Sequence, residues 1–428
     1  MLSNMPEAAR VPSPHPDLLD LEARYDRPLM QRRDFIATLV AGTLLSRAVR
    51  GRELPSDLEV TRLVGFDLPT RRSKIAGKNS RLDVHGDTAT DRMLRIHTNT
   101  NVVGVGYCGA SEQDAAKLLG RNPFDFYREP ETRMESPLGT GTMPLWDLLG
   151  KVRETPIHEL LGNRGPERVP CYDGSIYFAD LLPQYADRWE DRFKQEIDMG
   201  LKLGHRAFKV KIGRGAKWMS REEGDARDIA VLEVIRDHAG PDILIGVDAN
   251  NGYDLAGTRR LFEKIGKLNI AFAEEMFEEE AEACLEFREL LRSHGSKTLI
   301  ADGETQDDLD VFKPFIEAKA IDIYQGDMRR FGYEGILLEA SWCEPQGLRV
   351  APHNWGSLVG FYMQLHVGRA VPNFYRAEHD PLTSEILVAD GYSIKEGMAG
   401  VPDAPGAGLA IDEKKFAAEA TVRFDLHA

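Results

Sequence analysis

Seven ionisable side chains recur along the chain at nearly even intervals. Lys211, Asp248, Glu274, Glu304, Asp327, His353 and Glu378 are separated by 37, 26, 30, 23, 26 and 25 residues. Each step is the length of one strand plus one helix, so each group falls at the same level of a successive repeat. Lys209 precedes Lys211 by two positions, and on a strand that spacing turns both ammonium groups to one side. Asn250 follows Asp248 by two positions. Lysine and histidine carry protons, and carboxylates converging on one point repel each other unless a hard cation neutralises them. An oxygen-only ligand set favours Mg²⁺ over zinc or copper. Taken singly, each residue has a plainer explanation. An acidic residue after a strand caps a helix, a histidine after proline belongs to a loop, and Lys-x-Lys marks an edge strand with solvated charges. Those explanations do not place seven such residues on seven consecutive strands.

The elements that must position these groups are read from periodicity. From Val169 onward, short β-rich runs alternate with amphipathic stretches. The runs are Val169–Tyr172, Ala207–Ile212, Leu244–Asp248, Ile270–Glu274, Thr298–Asp302, Ile321–Gln325, Leu348–Pro352 and Phe374–Ala377. Helices are expected over Tyr185–Leu203, Glu222–Ala239, Leu255–Ile265, Glu280–Arg292, Leu309–Glu317, Tyr333–Pro345 and Ser357–Arg369. Strands alternating with helices require a parallel sheet, and eight strands over about 210 residues fit an α/β fold of the (β/α)8 barrel type, whose chemistry lies at the C-terminal strand ends. A doubly wound sheet is the alternative, with no need for eight even repeats. Residues 58–165 read differently. Glu59–Pro69 alternates like a strand, a basic loop follows (Arg71, Arg72, Lys74, Lys78), Met93–Thr98 and Val102–Tyr107 form a hairpin around Asn99-Thr100-Asn101, and Glu112–Leu119 and Leu145–Val152 are helical. The basic loop reads equally as a contact for an anionic substrate or as a solvated turn. The expected organisation is an N-terminal α+β capping domain over 58–165, a barrel over 166–380, and a tail over 381–428 that returns to the cap, with a late strand near Gly391-Tyr392-Ser393-Ile394.

The 428 residues are 42% hydrophobic and 29% charged, a composition that supports a sizeable core. A net charge of −15 argues against nucleic-acid binding. No stretch reaches the ~20 apolar residues of a membrane span. Cys108, Cys171, Cys284 and Cys343 lie far apart, without a metal-binding or disulfide spacing.

With these motifs in order, the chain resembles the enolase superfamily, in its mandelate racemase branch, over nearly all residues after 58. The resemblance rests on Lys209-Val210-Lys211, Asp248-Ala249-Asn250, Glu274-Glu275, Gly303-Glu304, Asp327 after the sixth strand and Pro352-His353 after the seventh. Met143-Pro144-Leu145-Trp146-Asp147-Leu148-Leu149-Gly150-Lys151 and Val401-Pro402-Asp403-Ala404-Pro405-Gly406 add to it. The chain departs from the family pattern at Met276, where proline is usual, at Gly141-Thr142-Met143-Pro144, and at Phe331-Gly332, where a glycine pair is usual. The resemblance implies one Mg²⁺ held by Asp248, Glu274 and Glu304, which stabilises the enediolate left when the proton α to a carboxylate departs. It implies Lys211 as base on one face and the Asp327–His353 dyad on the other. Lys209 would contact the substrate carboxylate and, by like-charge repulsion, lower the pKa of Lys211. Glu378 would hydrogen-bond the enediolate, and Asn250 would position the substrate. The implied partner is a small-molecule carboxylate, a sugar acid, dehydrated to a 2-keto-3-deoxy acid. The same residue pair serves racemisation or epimerisation of a 2-hydroxy acid. A cycloisomerase is disfavoured, because that branch typically carries a lysine on the sixth strand. A non-catalytic sugar-acid-binding barrel has no use for proton carriers on two faces. By analogy with the family, the chain is expected to be a homo-oligomer.

Residues 1–50 read as a disordered stretch followed by Gln31-Arg32-Arg33-Asp34-Phe35-Ile36 and an apolar run to Leu45. The arginine pair resembles a twin-arginine export signal, which would place the protein in the periplasm. An amphipathic N-terminal helix is the alternative, and it leaves the protein in the cytoplasm.

Overall fold

The computed structural model describes residues 53–428. The proposed export signal lies outside the described residues. Val60–Ala76 (β1) alternates buried and exposed side chains along its second half, as a half-covered strand should. It pairs antiparallel with Gly86–Thr98 (β2), which pairs in turn with Val103–Tyr107 (β3). Arg71, Arg72 and Lys74, expected in a loop, therefore belong to β1. Their charges are reconciled with burial by partners across the structure: Arg72 meets Asp380 at 2.6 Å and Lys74 meets Glu196 at 2.6 Å. The expectation that this basic cluster reaches a substrate is corrected for these two residues. On its other edge β1 pairs with Leu382–Thr383 and with the C-terminal strand Thr421–His427. The helix Met143–Arg153 (α1) covers the sheet with a fully buried row from Met143 to Gly150.

The second sheet has ten strands. Its parallel members are Val169–Ile176 (β4), Ala207–Lys211 (β5), Leu244–Asp248 (β6), Ile270–Glu274 (β7), Leu299–Asp302 (β8), Ile323–Tyr324 (β9), Arg349–Val350 (β10) and Ala377–His379 (β11). Each of β4 to β9 pairs in parallel with its successor, and β11 pairs with β4. Ahead of β11, Phe374 forms a parallel bridge with Val350 of β10. The short antiparallel strands Ser393–Lys395 and Met398–Gly400 complete the sheet beside β4. Strands such as Ile-Ala-Phe-Ala-Glu are buried on both faces, which parallel pairing under helices demands.

The covering helices are Trp189–Lys202 (α2), Arg221–Ala239 (α3), Leu255–Ile265 (α4), Ala281–Ser293 (α5), Lys313–Glu317 (α6), Met328–Cys343 (α7) and Leu358–Ala370 (α8). Local chemistry starts them. Ser220 and Glu223 form a reciprocal capping box on α3, Asp254 caps α4, and Ser357 caps α8. The sixth to eighth strands are shorter than their apolar runs imply. Helix α7 starts five residues before the expected Tyr333, because Asp327 caps an extra turn that ends in a kink at Gly332.

Candidate active site

β5 alternates as its sequence requires. Val210 is fully buried among the core side chains, while Lys209 and Lys211 share the other face. Lys209 Nζ lies 2.6 Å from Glu274 Oε1, 2.8 Å from Glu378 Oε1 and 3.1 Å from Asp248 Oδ2. Lys211 Nζ contacts Asp248 Oδ2. Asp248 and Glu274 end β6 and β7, and Glu304 follows β8. One oxygen from each of the three lies within 4.8 Å of the others. Asn250 donates through Nδ2 to Glu304 Oε1 at 3.1 Å and to Glu275 Oε2 at 3.3 Å. His353 holds Asp327 Oδ2 through Nδ1 at 2.8 Å and faces Glu304 Oε2 with Nε2 at 3.3 Å. Glu378 Oε2 accepts from the Asn354 amide at 2.9 Å. A Cβ on Gly174 would lie 2.5 Å from Glu378 Oε1, so this glycine makes the room that Glu378 occupies. All nine residues expected from the sequence thus form one connected cluster.

Two explanations for Asp327 hold at once. Its Oδ1 accepts from the Arg329 and Arg330 amides, capping α7, and its Oδ2 orients the imidazole. Burial works to raise the Asp327 pKa, yet the hydrogen bond and charge of His353 outweigh it and bring it down to about 2. Burial likewise works to lower the His353 pKa, and Glu304 and Asp327 raise it overall. Lys211 departs from expectation. Burial pushes its pKa down most and Lys209 adds to that, but the touching Asp248 carboxylate, with Glu304 and Glu274 behind it, outweighs both together and the pKa is raised.

Three further features were not read from the sequence. Gln325, at the end of the sixth strand, donates through Nε2 to Glu274 Oε2 at 2.7 Å; an amide in an apolar run carries little signal. Tyr177, just past β4, lies with its ring 5.3 Å from Lys211 Nζ and stacks on Trp355 at 4.4 Å. Glu275, Glu279 and Asp302 form a second acidic group beside the first.

The Asp248–Glu274–Glu304 group suits a hard divalent cation. Its donors are oxygen only, its convergence needs positive charge, and Lys209 and Lys211 supply that charge in the structure described.

Residues 192–415, just over half of the chain, match the enolase C-terminal domain-like family. A D-galactarolactone cycloisomerase from Agrobacterium fabrum is 27% identical over 373 residues, covering 78% of this chain and 93% of its own. A crystal structure of galacturonate dehydratase from Geobacillus sp., complexed with D-galacturonate and 5-keto-4-deoxy-D-galacturonate, is 31% identical, with a TM-score of 0.79 and 85% of this chain and 97% of that one covered. A mandelate racemase/muconate lactonizing protein from Geobacillus sp. Y412MC10, complexed with magnesium and tartrate, is 30% identical, with a TM-score of 0.80 and coverage of 86% and 96%. Sequence, site and shape lead to one placement: the chain is an enzyme and belongs to the enolase C-terminal domain-like family.

Proposed function

We propose that this enzyme removes the proton α to the carboxylate of a sugar acid and expels the neighbouring hydroxyl, giving a 2-keto-3-deoxy acid. The observation that carries the reading is the placement of Lys211 and the Asp327–His353 dyad at the two ends of one carboxylate trio. β5 and β10 stand five places apart in the parallel order, so a substrate held over the trio has a proton carrier on each side. We read the eight parallel strands as a closed barrel, supported by the β11–β4 pairing and the Val350–Phe374 bridge. The first sheet and α1 are read as its cap.

Asp248, Glu274 and Glu304 would hold Mg²⁺, which when bound would supply positive charge for the substrate carboxylate and for the enediolate. Lys211 takes the C2 proton, and the electron pair moves into the enediolate. Lys209 is placed to hold the carboxylate, Glu378 to hydrogen-bond the enediolate, and Asn250 to position the substrate. His353 gives its proton to the C3 hydroxyl, which leaves as water. The resulting enol gains a proton at C3 and becomes the keto acid, so one water is lost overall. Asp327 keeps Nδ1 engaged, so the proton transferred is the one on Nε2. If His353 instead returns a proton to C2 from its own side, the same groups epimerise the acid. The similarity to a protein named for mandelate racemase keeps that second reading.

The test is incubation with Mg²⁺ and a panel of mono- and diacid sugars in D₂O. Keto acid is read with a carbonyl reagent and α-deuterium by NMR. Keto acid that disappears in His353→Asn establishes dehydration. Deuterium or a new epimer without keto acid replaces it with epimerisation. Neither product from any acid sinks both.

A further inference from the structure

The segment after His353 is fixed residue by residue from outside itself. The Asn354 amide donates to Glu378, and Trp355 Nε1 donates to His85 Nδ1 at 3.3 Å. The Gly356 amide donates to Asp380 Oδ2 at 3.0 Å, and Asp380 is itself held by Arg72. Ser357 Oγ donates to Asp91 Oδ1, while the Leu358 and Val359 amides both donate to Asp91 Oδ2 at 3.0 Å. Arg72 lies in β1, His85 in the loop before β2, and Asp91 in β2. The hairpin therefore grips the loop that carries His353 at three places.

Asp91 is the strongest grip. Its side chain is fully buried, and it serves as acceptor for the first turn of α8. Amides free of intrahelical partners and the positive end of the helix dipole favour a carboxylate there. His353 has few other ties. Its amide donates to Gly326 O at 3.2 Å, its carbonyl accepts from Met328 at 3.0 Å, and its ring meets Asp327 and Glu304. Proton transfer is sensitive to displacements on the order of 1 Å.

We propose that Asp91 is a positioning residue. Through the start of α8 it sets the loop from which His353 delivers its proton, so the β1–β2 hairpin governs the His353 half of the reaction and not the Lys211 half. This rests on the dehydration reading above. A purely structural Asp91 would weaken the protein and slow both halves together.

The experiment uses the full chain with Mg²⁺ and a sugar acid that it dehydrates, in D₂O. Keto acid formation needs His353, whereas deuterium entering recovered substrate at C2 needs only Lys211. In Asp91→Ala, keto acid formation is expected to fall about 100-fold, the cost of misplacing a reacting group by about 1 Å. Deuterium in recovered substrate rises. Asp91→Asn keeps an oxygen for the two amides and restores most of the dehydration. A parallel fall of both signals, or no change in either, overturns the proposal. If Asp91→Ala does not fold, His85→Phe, which removes the Trp355 hydrogen bond and keeps a ring against Tyr177 and Trp355, must show the same split, and its absence overturns the proposal too. Amide hydrogen exchange of residues 353–360 needs no substrate. Protection there drops in Asp91→Ala while β5 to β7 keep theirs, and unchanged protection in that variant overturns the proposal. Wild-type protein that makes neither keto acid nor deuterated substrate, with the protection change intact, overturns instead the reaction on which this role rests.

Discussion

Lys209 meets three carboxylates at once, and Lys211 and His353 each meet one of the same group or its neighbour. Cation binding must therefore displace ammonium and imidazole contacts from Asp248, Glu274 and Glu304, and what happens to those oxygens next depends on the groups behind them. Gln325 is such a group, since its amide fixes Glu274 Oε2 from the side. Outer partners of metal ligands commonly matter 10- to 100-fold. Gln325→Leu is expected to weaken Mg²⁺ binding, read by calorimetry, by about that factor while the melting temperature holds. Unchanged affinity would reduce Gln325 to a filler of space. Gly174 makes a second case at this scale. Any side chain there meets Glu378, so Gly174→Ala is expected to lower kcat with little effect on Mg²⁺ affinity.

At the scale of elements, α7 joins two jobs that its sequence does not separate. Its first turn is capped by Asp327, and five residues later Gly332 adopts φ 63° and ψ −170°, a conformation open essentially to glycine. A Cβ there would meet the Thr140 carbonyl oxygen. The kink lets α7 begin at the dyad and still lie along the sheet, bringing Glu334 to Trp146 Nε1 at 2.9 Å and to Thr142 Oγ1 at 2.8 Å. Gly332→Ala is expected to cost about 1–3 kcal/mol from the backbone alone, seen as a lowered thermal midpoint. It should also reduce the His353-dependent step more than Mg²⁺ binding. Equal stability in the variant would contradict the strained backbone.

Across the whole molecule, buried histidines outside the site govern the acid side of stability. Burial pushes His366 down to about 3 and His379 down to about 3, and His158, stacked on His366 at 5.6 Å, down to about 4. Their unfolded values stand near 6.5. Between those limits the unfolded chain binds protons that the folded chain does not, so stability rises with pH there. It is fully present above about 6.5 and is lost progressively as pH falls toward 3. Each histidine contributes a slope of about 1.4 kcal/mol per pH unit in that window. Denaturant melts from pH 7 to pH 4.5 should show the slope. His366→Gln should remove about one proton's worth of it, and an unchanged slope would exclude His366 as a source.

The order of strands and helices, and the level at which Lys211, Asp248, Glu274, Glu304, Asp327, His353 and Glu378 fall, were legible in the sequence, because parallel strands are short apolar runs and the βα repeat fixes spacing. The Asp327–His353 pair came from the family resemblance, and the Asp327 cap was missed, since the helix was expected to start at Tyr333 rather than Met328. Tertiary structure alone decided what spacing does not encode. Arg72 and Lys74 look like a solvated basic loop until Asp380 and Glu196 arrive from about 300 and 120 residues away. Lys211 looks like a lysine depressed by Lys209 until Asp248 is seen touching it. Asp91 gives no signal in β2, since its partners lie more than 260 residues along the chain at the start of α8. Local sequence specifies propensity, caps and period. Which charge neutralises which is set by distances that only the assembled fold creates.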